Sequence, residues 1–519
     1  MPLGRTYGVA LVGLTGHVIE VEADIGQTLP AFVLLGLPDA SLHEAKDRIR
    51  SAAQNSGIPL SRRKITVNLI PATLPKRGSS FDLAIVTAAL RAAGDIRSPG
   101  GTVFIAELGL DGRLRPVRGV LPAVMAAVQA GHREVVVAAA NADEARLVPG
   151  AHVNSYRTLS EVALALGADP STLVLPAESD SAATTAQLPA EGADQENPAE
   201  APDMADVAGQ PDARLALEVA AAGAHHLLLT GPPGAGKTML AERLPGLLPS
   251  LDDSAAMEVT AVHSLGGTAA QRSSLVRRPP FESPHHTASA VSIIGGGSGI
   301  PRPGAASRAH RGVLFLDEAP EYQRGVLDAL RQPLENGRLV IQRAAGTAAY
   351  PARFQLVLAA NPCPCGQASG KGIDCTCTPL KRRQYFSRIS GPLLDRVDIQ
   401  LSVPRVSLAE FSSGHRSEST HAVAARVQRA RNRQQQRLAG FGCTTNAEVS
   451  GRVLRNELTL DRSATKDLDL ALERGTLTAR GYDRVLRLAW TLSDLQDGKR
   501  PDRDDVGRAL AFRQNVNAA

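Results

Sequence analysis

The octapeptide GPPGAGKT at 231–238 satisfies G-x-x-x-x-G-K-[ST] without a mismatch. It stands between HHLLLT, an apolar run of buried-strand character, and MLAERLPGLL, whose apolar spacing is helical. A strand, a glycine-rich turn and a helix in that order leave few folds open, because the turn must aim backbone N–H groups at an anion in front of a helix N-terminus. An accidental match in a glycine-rich turn is disfavoured by the strand and helix around it. The expected cradle is Gly231, Pro232, Pro233, Gly234, Ala235 and Gly236. Lys237 is placed to reach the β- and γ-phosphates of ATP, and Thr238 to hold Mg2+.

Two later strands end in the residues such a site needs. GVLFLDE at 312–318 is a continuous apolar run closed by two carboxylates. A strand with an acidic end is common by itself and becomes specific at this distance after a P-loop. Asp317 is the expected contributor to the Mg2+ shell, and Glu318 the group that polarises the attacking water. FQLVLAAN at 354–361 is a second apolar run. Asn361 at its end can sit between the strands and touch the γ-phosphate or the water.

At 519 residues the chain exceeds one ordinary domain, so two or three cores are expected. Residues 176–203 are rich in Ala, Pro, Glu and Asp and lack apolar patterning. Such a segment cannot bury enough apolar surface to offset its ordering entropy, and a disordered linker is expected. It divides an α/β domain over 1–175 from an ATPase core over 204–405 and a helical lid over 406–519. In the first part YGVALVG, HVIEVEADI, FVLLGL, KITVNLIP, TVFIAELG and EVVVAA read as strands. LHEAKDRIRSAAQNSG, FDLAIVTAALRAAG and VLPAVMAAVQAG read as helices, as do HAVAARVQRARNRQQQRLAG and ARGYDRVLRLAWTLSDLQ in the lid.

The net charge of +5 is unevenly spread: +2 over 1–175, −7 over 176–203 and +10 over 204–519. A basic C-terminal half invites a polyanion, nucleic acid being the commonest, although a solvated basic surface accounts for the charge alone equally well. No run of about 18 or more apolar residues suggests a membrane span. The start MPLGRTYGVALVG lacks the basic and apolar regions of a secretory signal. Five cysteines in so long a chain make no disulfide framework. The expected location is cytoplasmic, without a membrane partner.

The P-loop, the acidic strand and the polar-ended strand together resemble an AAA+ ATPase. Within that class RRPPFESPHHTASAVSIIGGG, PRPGAASRAHRGVLFLDEAPEY, ANPCPCG and SGPLLDRVDI resemble the YifB/ComM family of magnesium-chelatase-like proteins. The resemblance spans nearly everything except the linker. It implies a homo-hexameric ring in which Arg396 is the arginine finger reaching a neighbour's γ-phosphate. It also implies a second sensor arginine at Arg480, with Arg484 competing for the role, and an adenine-side segment at Val207, Gly209 and Gln210. The task it implies is translocation on single-stranded or branched DNA, as a helicase or branch-migration factor in recombination of incoming DNA.

GRLVIQRAAGTAAYPARFQLVLAAN reads as two strands around Ala344, Ala345 and Gly346, before the strand of Asn361. It resembles the pore hairpin of chelatase and helicase ATPases, where Arg343 would meet a phosphate backbone; a simple sheet extension is the alternative. The loop 281–304 resembles a second pore insert; His285 and His286 could be metal ligands, but no matching carboxylate or cysteine pair sits nearby in the sequence, and packing or lining the pore is expected. The first domain resembles the proteolytic domain of Lon protease, a ribosomal S5 domain 2-like α/β fold, at PKRGSSFDLAI and FIAELGLDGRLRPVRGVLPAV. Ser80 falls where that family carries its nucleophile, yet VLPAVMAA offers no partner lysine, and a serine without a base is a weak nucleophile. A magnesium-chelatase motor subunit is the main alternative, disfavoured by the Lon-like domain and the basic lid. A Lon-like peptidase and an ATP-dependent scaffold are the others.

Four of the five cysteines, Cys363, Cys365, Cys375 and Cys377, form CxC–x9–CxC directly after Asn361. Four thiolates suit a tetrahedral structural Zn2+, although CxxC pairs are the more usual pattern; four reduced thiols are the alternative. Lys381, Arg382 and Arg383 follow and could help to grip DNA.

Overall fold

The computed structural model describes residues 3–26, 29–36, 39–60, 64–71, 74, 79–175, 202–266, 273–297, 301–343, 346–368, 375–408, 410 and 417–514. Of the expected linker, 176–201 lies outside them. Asp203, counted with the linker, is instead tied into the ATPase half: its carboxylate accepts from the backbone N–H and hydroxyl of Thr420, at 2.6 and 2.9 Å.

The N-terminal strands β1 (Gly4–Val12), β2 (Thr15–Gly26), β3 (Phe32–Leu35), β4 (Lys64–Ile70), β5 (Val103–Ile105), β6 (Glu134–Ala138) and β7 (His152–Tyr156) form one sheet. Its order is β3-β4-β2-β1-β5-β6-β7. β2 pairs antiparallel with β1 and β4, whereas β5, β6 and β7 run parallel. Ile19, Val21, Ala23 and Ile25 alternate onto the buried face of β2, as a period of two requires. Helices Asp39–Asn55 and Asp82–Ala93 help to close that core. TVFIAELG reads as one strand but is broken at Ala106. There the Ala106 carbonyl accepts from Leu83 N–H and the buried Asp82 carboxylate accepts from Leu108 N–H, so helix start and strand end satisfy each other.

The second sheet contains β8 (Leu227–Thr230), β9 (Phe281–Glu282), β10 (Val313–Leu316), β13 (Gln355–Ala360) and β14 (Ile399–Ser402), and the hairpin β11 (Arg338–Arg343) and β12 (Gly346–Pro351) stands apart from it. Its order is β9-β10-β13-β8-β14, every pair parallel. β8, β10 and β13 are buried at every position, which is why their sequences are unbroken apolar runs rather than alternations. Strand order reverses at β8, and such a switch opens a crevice at the carboxyl ends of the strands. Thr230, Leu316 and Ala360 all end there.

The helices Thr420–Leu438 and Ala479–Leu495 share one apolar cluster with the P-loop helix Lys237–Leu247. The guanidinium of Arg437 covers Trp490, 4.4 Å from the ring centroid. The N-terminal part docks on the ATPase half through Val120–Gln129, against helix Asp253–Gly266: Ala261 and Met257 enter its cluster, and Gly119 N–H donates to the Ser264 carbonyl at 3.2 Å. Among the described residues no helix is long and apolar enough to cross a membrane.

His310 shows how this packing meets pH. Its Nδ1 accepts from the Arg353 backbone N–H at 3.1 Å, and its Nε2 lies 3.2 Å from a Glu258 carboxylate oxygen, so the neutral ring carries its proton on Nε2. Burial pushes its pKa from 6.5 down to about 4, outweighing the Glu258 hydrogen bond that acts to raise it. A histidine that resists protonation only when folded stabilises the fold above its unfolded pKa, and that contribution is lost as pH falls. Urea midpoints should therefore drop between about pH 6.5 and about pH 4, and His310→Gln should flatten the slope. An unchanged slope in that variant would show the site to be neutral to acid.

Candidate nucleotide site

The loop between β8 and helix Lys237–Leu247 is shaped by Gly234 (φ +77°) and Gly236 (φ +83°), conformations that side chains with a Cβ rarely adopt. A Cβ on Gly234 would meet nothing within 4 Å, so the cradle is open on that side. Lys237 is buried, and its Nζ donates to the carbonyls of Gly231 (2.7 Å) and Pro232 (3.1 Å) and to Oδ1 of Asn361 (3.1 Å). Desolvation lowers its pKa, while Asp317 and Glu318 act in the opposite direction. The P-loop lysine thus already touches the end of β13.

The end of β10 closes the third side. Thr238 Oγ1 donates to Asp317 Oδ2 at 2.8 Å, so the two expected Mg2+ contributors are adjacent. The other Asp317 oxygen accepts from the Glu318 N–H at 2.8 Å. Glu318 has φ +50°, a costly left-handed conformation for a non-glycine residue, which ends the strand direction there. Hydroxyl, carboxylate and open glycine cradle fit an octahedral, oxygen-ligated cation beside a phosphate chain. Val207, Gly209 and Gln210 lie at the edge: Gln210 donates to the carbonyls of Ala235 (2.8 Å) and Pro404 (3.2 Å), and its buried Oε1 has no partner among the described residues. The Val207 carbonyl accepts from Ser417 at 2.7 Å.

One contact was not foreseen. His286 Nδ1 lies 3.0 Å from Glu318 Oε2, so this histidine holds the carboxylate instead of only packing or lining a pore. The His285 ring lies against it, tilted by 33° with centroids 4.2 Å apart. The separation of 32 positions between His286 and Glu318 hid the contact. The only signal was the HH pair itself, in a segment that hydrogen-bonds back through Tyr322 to the Pro284 carbonyl.

Arg396 and Arg480 sit elsewhere. With Arg484 and Arg487 they line a cavity of about 290 Å3 that includes Glu335 and Asp483 and, among the described residues, no P-loop residue. Arg396 pairs with Glu335 and donates to the Pro392 carbonyl. Burial, then Arg331, Arg480 and Arg484, lower its pKa. Arg484 pairs with the buried Asp398, which also accepts from the His226 N–H and faces His225. Despite its desolvation Asp398 is held well below the usual carboxylate range, with Arg484 the largest stabilising influence. Arg480 is exposed and has no hydrogen-bond partner among the described residues. The other three arginines of the cavity each have a hydrogen-bond partner.

Arg343 is exposed at the end of β11 beside Gly296; Ala344 and Ala345, the expected tip, lie outside the described residues. The turn after β1 braces this hairpin: Leu14, with Leu265, packs on Ile341, Ala348 and Tyr350. Lys381 and Arg383 are exposed, but Arg382 turns inward and donates to Cys375 Sγ at 3.3 Å. The four cysteine sulfurs lie within 4.8 Å of one another. Ser80, the expected nucleophile position, is half-buried; its neighbour Ser79 is the one that donates to Glu107.

Three family models cover the chain in turn: "Subunit ChlI of Mg-chelatase" over 21–141, "Magnesium chelatase, subunit ChlI" over 203–411 and its C-terminal model over 417–513. Competence protein ComM of Haemophilus influenzae is 38% identical over 519 residues, 99% of this chain and 98% of its own. The chain belongs to the YifB/ComM magnesium-chelatase-like family. YifB of Escherichia coli, an uncharacterized protein, is 37% identical over 516 residues, 99% of this chain and 97% of its own. An uncharacterized protein of Mycobacterium tuberculosis is 50% identical over 518 residues, 99% of both chains.

In this magnesium-chelatase-like chain the two candidate sensor arginines have separable tests. Arg484→Ala leaves Asp398 buried and unpaired and should cost about 3–5 kcal/mol, seen as a lower melting temperature. Arg480→Ala should leave melting unchanged and lower only ATP turnover. Equal melting losses in both would remove the distinction.

Proposed function

We propose that this protein is an ATP-hydrolysing motor that assembles as a homo-hexamer and translocates on DNA in the cytoplasm. The observation that carries the reading is the meeting of Lys237, Thr238, Asp317, Glu318 and Asn361 at the ends of three neighbouring parallel strands. Mg2+ held by Thr238 and Asp317 would neutralise charge on the β- and γ-phosphates. Lys237 binds the phosphates after leaving its own loop carbonyls. Glu318, oriented by its turned backbone and by His286, takes up the attacking water, and Asn361 places that water or the γ-phosphate. Arg396 and Arg480 serve the nucleotide of the next subunit, since their shared cavity lies apart from their own P-loop.

DNA is the proposed track because the half that holds the site has a net charge of +10 and presents Arg343, Lys381 and Arg383. The name of the Haemophilus relative, a competence protein, points the same way. Helicase or branch-migration work follows for a ring on single-stranded or branched DNA. With aromatics only 3% of the chain, base stacking has little to offer, and phosphate contacts should dominate. The N-terminal Lon-like part is assigned a bracing role under the hairpin rather than peptidase chemistry. The chelatase wording of the family models favours one second reading, a motor for metal insertion into a porphyrin. DNA binding separates the two.

Lys237→Ala should weaken nucleotide binding, whereas Glu318→Gln should bind ATP and lose about 100-fold or more in turnover, because only the water-activating group is gone. Near-normal turnover in both would sink the site assignment. For the track, affinity for branched DNA should fall steeply with salt and vary little with sequence. Arg343→Ala should spare basal ATP turnover and abolish strand displacement. An intact protein that binds no DNA would return weight to the chelatase reading.

A further inference from the structure

The loop that follows β13 brings four thiols together against the candidate site. We propose that Cys363, Cys365, Cys375 and Cys377 bind one Zn2+, and that this clip fixes Asn361 beside Lys237. The second half rests on the ATPase reading; the first does not.

The sulfur spacing approaches that of a tetrahedral thiolate site, all four lying within 4.8 Å of one another. Cys375 Sγ is 3.6 Å from Cys363 Sγ and 3.7 Å from Cys365 Sγ, while Cys363 and Cys365 are 3.2 Å apart. Zinc–sulfur bonds of about 2.3 Å require sulfur–sulfur edges of about 3.8 Å in a regular tetrahedron. The separations are too long for disulfide bonds, and all four cysteines are free. Four soft ligands and no oxygen ligand select Zn2+ over Mg2+ or Ca2+, and a full set of four makes the site structural. Zinc with four thiolates carries two negative charges, and the loop supplies donors for them. Arg382 donates to Cys375 Sγ at 3.3 Å, the Ala368 N–H serves Cys363, and the Gln367 N–H serves both Cys363 and Cys365. Outer donors of this kind hold metal-bound thiolates in place.

The placement gives the clip its purpose. Cys363 comes two residues after Asn361, and Cys377 two residues before helix Pro379–Phe386. The Asn361 backbone N–H bonds to the Tyr385 hydroxyl on that helix, so both ends of the clip reach the same asparagine. Gly366 lies against Pro233 of the P-loop so closely that a Cβ would come within 2.7 Å of the proline ring. Closing the thiol ring therefore presses the loop on the P-loop and holds Asn361 Oδ1 at Lys237. Arg382, counted among the DNA contacts from the sequence, is a partner of the metal site.

The test uses full-length protein purified with reductant and passed through a chelator. Metal analysis should find about one zinc per chain, and Co2+ exchanged into the site should show the intense visible bands of tetrahedral thiolate ligation. Cys365→Ser and Cys377→Ser should lose the metal, and Cys443→Ser should keep it. Protein that holds no zinc and gives no cobalt–thiolate spectrum overturns the proposal, whether or not the serine variants fold. For the second half, Cys365→Ser and Asn361→Ala should each lower kcat about tenfold or more, and the double variant should be no worse than Asn361→Ala alone. Independent, multiplying losses would overturn the positioning role and leave the metal site standing. Wild-type protein that takes up zinc but binds no ATP would overturn the ATPase reading, and the positioning role with it.

Discussion

The ammonium of Lys237 is the constraint on which the nucleotide half depends. It is withdrawn from water and held by two carbonyls of its own loop and by the side chain of Asn361. A buried cation is stable only when its donors are satisfied, so the P-loop and the end of β13 must keep their mutual register. That register comes from the sheet: all of β8 pairs with Val357–Ala360 of β13, and Gly231 N–H donates to the Ala360 carbonyl at 3.1 Å beyond the last pair. The lysine, the strand pairing and the position of Asn361 are therefore one structural fact. A phosphate chain entering the cradle offers Lys237 stronger, charged acceptors than the carbonyls it gives up.

A second buried charge organises the far side. Asp398, at the start of β14, is surrounded by Arg484, His225 and the His226 N–H, and this network fastens the helix Ala479–Leu495 to the base of the sheet. His225 continues it by contacting Thr491 at 2.7 Å. Removing one member would leave its partner desolvated and unpaired. Because the helix is fastened there, Arg480 at its first turn is carried next to Arg396. Like charges gather in one cavity only where other forces hold them, or where an anion from outside is to be met. Asp398 supplies the holding force, and Glu335 compensates Arg396 in the isolated chain.

The features legible in the sequence were those fixed by local chemistry. The P-loop can be read because its turn demands glycines at Gly234 and Gly236, and β8, β10 and β13 because strands covered on both faces are apolar throughout. The hairpin of β11 and β12 and the long helices Thr420–Leu438 and Ala479–Leu495 follow from periodicity. What escaped was non-local. Ala106 interrupts TVFIAELG because a helix start elsewhere needs its carbonyl. His286 reaches Glu318 and Arg382 reaches Cys375 only after folding, and nothing in the spacing marks either pair. The convergence of Arg396 and Arg480 likewise depends on how a helix some 80 residues onward packs, so the family resemblance proposed both arginines without placing them together.

If the arginine cavity, which lies apart from its own P-loop, serves a neighbouring subunit as proposed, a complete site is a property of two subunits, and one measurement bears on that most directly. Lys237→Ala and Arg396→Ala proteins are each assayed for ATP turnover, alone and after mixing at concentrations where the ring forms. Each should be inactive alone, and an equal mixture should regain activity at about a quarter of its interfaces, where an intact P-loop meets an intact arginine. A mixture as inactive as its components, or full turnover by wild-type protein shown to be monomeric, would contradict the shared site.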